Sequence, residues 1–94
     1  MRGKQKNIKV LNAVIIDNRP DNITLKYDGI RHVMKTSEAQ TLYFMFRKAL
    51  SVTNPEEHKE IEIKIKGIDD KLCVLRSDIY NMWVKLKQIF RITY

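Results

Sequence analysis

The side chains best suited to nucleophilic, acid–base or metal chemistry are His32, His58 and Cys73, and none has a partner at a useful spacing. A zinc site needs Cys or His ligands grouped a few residues apart, and a redox pair needs a second cysteine. His32 reads as a core-edge residue on an apolar strand, His58 as an exposed residue in an acidic connector, and Cys73 as a small sheet residue. Glu56, Glu57, Glu60 and Glu62 offer carboxylates for a divalent cation. Lys59 and Lys64 interleave with them, however, and no second acidic cluster lies nearby, so they read as a solvated connector. Gly3, Gly29 and Gly67 form no phosphate-cradling loop. The expectation is a protein without catalytic residues, metal ligands or cofactor.

Charge points to binding instead. Eighteen Lys and Arg oppose eleven Asp and Glu, a net +7 with a pI near 9.7. Such a field draws polyanions, nucleic acid first and acidic proteins second. The cations placed to meet phosphates are Lys26, Arg31, Lys35, Lys64, Lys66 and Lys71 on strands, with Lys4, Lys6 and Lys9 towards the N-terminus. Side chains on neighbouring strands form a grid that fits the backbone of duplex DNA. A second surface is expected on the helices. Phe44 and Arg47 lie away from the buried stripe of the first, and Tyr80, Val84, Lys87 and Arg91 recur at i, i+4, i+7 and i+11 on the second. Apolar residues among cations suit a protein interface, either a homodimer or an acidic partner.

The elements that must hold these residues follow from periodicity and turn chemistry. Residues 1–7 form a basic arm, and 8–94 form one domain, with no apolar run near the ~20 residues a membrane span requires. A single cysteine and no leader pattern suit the cytoplasm. Residues 8–16 are β-branched and end in the turn cluster 17–22. Residues 23–27 and 30–35 flank Asp28-Gly29, the preferred pair for a two-residue type I′ hairpin. That turn sets Tyr27 opposite Ile30, Leu25 opposite His32 and Ile23 opposite Met34. Ser37 with Gln40 has capping-box spacing and opens a helix whose buried stripe is Ala39, Leu42, Tyr43, Phe46, Ala49 and Leu50. Asn54-Pro55 ends it.

The second half repeats the plan. Residues 60–66 (EIEIKIK) alternate, 67–70 turn, and 71–76 return, with Leu72 and Val74 joining the isoleucines if the turn is even. A helix from Ser77 buries Ile79, Met82, Trp83, Leu86, Ile89 and Phe90. A shift of forty residues superimposes the halves 21–51 and 61–91 without a gap, placing Ser37 on Ser77 and Tyr43 on Trp83. The match fits an internal hairpin–helix duplication, and it equally fits any two amphipathic hairpin–helix units. Either way the class is α+β, antiparallel strands in the order βββα–ββα with both helices on one face, the halves joined in one continuous sheet or laid as two small layers. The expected product is a small nucleic-acid-binding accessory or regulatory protein, with a protein-binding module as the alternative.

Overall fold

The structure, a computed structural model, describes residues 10–18 and 22–91; the arm 1–7, with Lys4 and Lys6, and Lys9 lie outside the described residues. In chain order the elements are β1 (Val10–Leu11), β2 (Ala13–Asn18), β3 (Asn22–Tyr27), β4 (Ile30–Met34), α1 (Thr36–Ser51), β5 (Glu60–Ile63), β6 (Leu72–Leu75) and α2 (Arg76–Ile89). The class is α+β as expected, and of the two arrangements left open by the sequence the strands form two small sheets. These are β2-β3-β4 and β1-β6-β5.

The division falls inside the expected first strand. Val10 and Leu11 pair in parallel with Cys73 and Val74, whereas Ala13 to Asn18 pair antiparallel with Tyr27 to Asn22. Asn12, exposed between them, lets one strand serve both sheets. The break is held from two sides. The Asn12 carbonyl accepts the Asp28 N–H at 3.4 Å, and the Asp78 carboxylate, at the start of α2, accepts the Ala13 N–H at 3.3 Å.

The first hairpin has the expected register, Tyr27 with Ile30, Leu25 with His32 and Ile23 with Met34. Asp28 and Gly29 take φ of 49° and 78°, the positive values a type I′ turn demands at both central positions. One face of this sheet is therefore apolar: Ala13, Ile15, Ile23, Leu25, Tyr27 and Met34 are buried. In the second sheet Ile61 pairs with Val74 and Ile63 with Leu72, so the isoleucines share a face with Leu72 and Val74 as an even connection requires. Helix α1 packs on β3 and β4. Helix α2 packs on β2 as well as on β6, and the two helices pack together. One core cluster results, to which both sheets and both helices contribute.

The helix ends differ from expectation in an instructive way. Helix α1 starts one residue before Ser37, with Lys35 as N-cap. Glu38 decides this, because its carboxylate accepts the Lys35 N–H at 2.8 Å while favouring the positive end of the helix dipole. At the C-terminal end the Ser51 and Thr53 hydroxyls donate to the Lys48 and Ala49 carbonyls. Arg76, the first residue of α2, donates from its guanidinium to the Leu50 carbonyl and the Thr53 hydroxyl, each at 2.9 Å. The end of one helix is thus capped by the start of the other.

Candidate functional site

The expected lysine grid does not assemble. On the outward face of the first sheet, Lys26 pairs with Arg31 on one side and Val14 on the other. The next file is Ile16, Thr24 and Val33, and the last is Asn18 with Asn22. Lys35 follows β4, exposed at the helix cap. The face is mixed rather than basic. Val14 and Val33 are exposed, while Thr24 is only 2% exposed, hydrogen-bonded to Asn18 and Asn22.

Lys64, Lys66 and Lys71 do not join Lys26 and Arg31, because β5 ends at Ile63 and β6 begins at Leu72. The Lys64 ammonium donates to the Ile68 and Asp69 carbonyls, closing the connection on itself. Lys66 lines a small cleft with His32, Met34 and Leu42. The outward face of the second sheet presents Glu60, Glu62, Cys73 and Leu75, which is acidic and apolar. Cys73 is itself buried. Desolvation first, then the Glu60 and Glu62 charges, pushes its thiol above the ordinary range, which keeps it neutral and a poor nucleophile.

The histidines have structural positions. His32 lies against Gly67, whose Cα hydrogens leave room for the imidazole. His58 accepts the Asn54 N–H at Nδ1, at 2.9 Å, and closes the turn after α1. Among the described residues no group of three His, Cys, Asp or Glu side chains is placed to hold a metal. No helix there is long and apolar enough to cross a membrane.

The helix pair is different. Phe44, Tyr43, Trp83 and Tyr80 form a continuous row of rings across the two helices. Tyr43 meets Phe44 edge-on at 5.1 Å between centroids, stacks on Trp83 at 6.2 Å and 13°, and Trp83 meets Tyr80 at 5.9 Å. The Lys87 ammonium lies over the indole, 4.8 Å from its centre, an attraction to the ring's negative face that fixes the cation at the surface. Arg47, Leu50, Ser51, Arg76, Tyr80 and Trp83 line a shallow concavity of about 330 Å³ between the helices. Phe44 is 58% exposed and Tyr80 51%.

Four of the six helix-surface candidates, Phe44, Arg47, Tyr80 and Lys87, thus converge. Val84 is half-buried one turn from Tyr80, whereas Arg91 lies past the end of α2 with a φ of +55°, off the helical track its spacing implied. Tyr43 is buried as its stripe requires, whereas Trp83, expected in the buried stripe of α2, is only half-buried and joins the row, which sequence reasoning missed. The available signal was spacing: Trp83 stands three residues after Tyr80 and four before Lys87, at the margin of the stripe.

The electrostatics single out this surface again. No Asp or Glu occurs from Ala39 to Pro55 or from Ile79 to Tyr94, while those stretches carry Arg47, Lys48, Lys85, Lys87 and Arg91. The acids gather elsewhere, at Glu56, Glu57, Glu60, Glu62, Asp69 and Asp70. Beyond their first turns, both helices are entirely cationic among their charged residues. Comparison with protein-family models, curated proteins and solved structures returns no match.

Proposed function

We propose that this chain is a small non-enzymatic nucleic-acid-binding protein whose contact surface is the outer side of the helix pair. One observation carries the proposal: a row of aromatic rings across two helices whose charged residues beyond the first turns, Arg47, Lys48, Lys85 and Lys87, are all cationic. Cations gathered on stretches of sequence without acids attract phosphates and release condensed counterions on binding. Exposed rings among them add apolar contact that charge alone does not supply. Lys26 and Arg31 on the open sheet face, and Lys4 and Lys6 in the arm, add long-range attraction to the same ligand. An accessory or regulatory role in the cytoplasm suits a chain with one buried thiol.

The sole tryptophan, Trp83, makes the proposal testable without a label. Oligonucleotides titrated into the protein at two salt concentrations are expected to quench Trp83 emission saturably, with affinity falling steeply as salt rises. Reversing charge at Arg47 and Lys87 together (to Glu) is expected to lower affinity at least ten-fold, more than the same reversal at Lys26 and Arg31. Retardation in a gel with Trp83 emission unchanged would move the contact off the helices. No binding to any nucleic acid at low salt would remove the function and leave an acidic protein as the partner of this surface.

A further inference from the structure

We infer that the helix-pair surface selects single-stranded nucleic acid over duplex, with Phe44 and Tyr80 as the rings on which unpaired bases stack; this rests on the nucleic-acid reading above. The shape of the surface is the first reason. The major groove of duplex DNA is ~12 Å wide and admits one helix. Two packed helices, with axes ~8–10 Å apart and each ~10–12 Å across, are too broad to enter it. A duplex cannot therefore seat the ring row, which spans both helices, in its groove, and its bases, stacked on one another, would offer no face to the rings.

The second reason is which rings are open. Tyr27, Tyr43 and Phe46 are buried, whereas Phe44 and Tyr80 keep about half their surface in water at the two ends of the row. Trp83 is already engaged by Tyr43 and by Lys87, so it supports the platform rather than receiving a base. Stacking of a base on an exposed ring removes apolar surface from both and is indifferent to sequence, because every base has a π-face. The concavity beside Tyr80 adds a second base-sized feature, with Leu50 and Trp83 in its lining. Charge complementarity favours a polyanion as the occupant, and the open rings favour one whose bases are free.

The test compares the full chain on a labelled oligothymidine 20-mer and on a 20-base-pair duplex, by fluorescence anisotropy at matched salt. The single strand is expected to bind at least ten-fold more tightly. Phe44→Ala and Tyr80→Ala are each expected to weaken single-strand binding about ten-fold, with the salt slope unchanged and duplex binding unaffected. Tyr80→Phe is expected to restore the wild-type value. Both positions are exposed, and far-UV circular dichroism checks that the variants remain folded. Duplex binding equal to or tighter than single-strand binding, or equal losses on both in the ring variants, would overturn the inference while leaving nucleic-acid binding in place. Absence of binding to either oligonucleotide would instead overturn the underlying function.

Discussion

Single residues carry much of the shape of this protein, and Gly67 is the plainest case. Its φ is +94°, a conformation L side chains rarely adopt, and a Cβ there would stand 3.0 Å from the His32 imidazole. Both penalties act together in Gly67→Ala, which is expected to lower stability by about 1–3 kcal/mol, read as a shift in urea midpoint. Gly29 has positive φ too, yet nothing lies within 4 Å of its would-be Cβ, so the same substitution there brings backbone strain alone. At this scale the sequence was legible for turns and opaque for contacts. Asp28-Gly29 announced its hairpin through local backbone chemistry. Nothing local to Gly67 announced His32, which arrives from another strand.

Among the elements, the hairpin register was readable because a two-residue turn leaves no freedom, and the helices because their apolar stripes exceed three turns. The edges of β5 and β6 were not. Alternation continues through Ile65, which is buried with the same parity as Ile63, so the pattern ran on after the strand had ended. The turn bonds of Lys64 and the close approach of Gly67 to His32 end it, and both depend on tertiary packing. That error moved Lys64, Lys66 and Lys71 onto a sheet they do not occupy, and with them the expected phosphate grid. The caps show the same division. Glu38 competes with Ser37 within three residues, but the clamp of Arg76 on Leu50 and Thr53 crosses from one half to the other. Arg76→Met keeps the stem and deletes the donors. It is expected to cost about 1.5–3 kcal/mol by thermal or urea denaturation, since charged hydrogen bonds to the Leu50 carbonyl and the Thr53 hydroxyl are lost. The expected signature is earlier amide exchange at the end of α1 than in its first turns.

Taken whole, the molecule is less divisible than its sequence. The forty-residue shift suggests two hairpin–helix halves, and each hairpin is indeed followed directly by a helix. The packing crosses between them, however: α2 covers β2 of the first sheet, and the short β1 is claimed by β6. The apolar residues of the helices are buried in one shared cluster rather than two. Peptides spanning 21–51 and 61–91 are accordingly expected to lack a cooperative thermal transition when studied separately, although each contains a complete hairpin–helix sequence. A sigmoidal melt from either one alone would show that a half suffices.

The parallel pairing of Val10 and Leu11 with Cys73 and Val74 has a consequence for how the protein is born. During translation Val10 and Leu11 emerge with their hydrogen-bonding edge open, well before Cys73 and Val74 exist to pair with them. Parallel, long-range pairing of this kind is slow to form and leaves unpaired edges exposed meanwhile. A truncated product stopping before residue 72 would hold a hairpin and a helix but no mate for its first strand and no lid for its second. Such a product is expected to be cut faster than the longer chain in limited proteolysis.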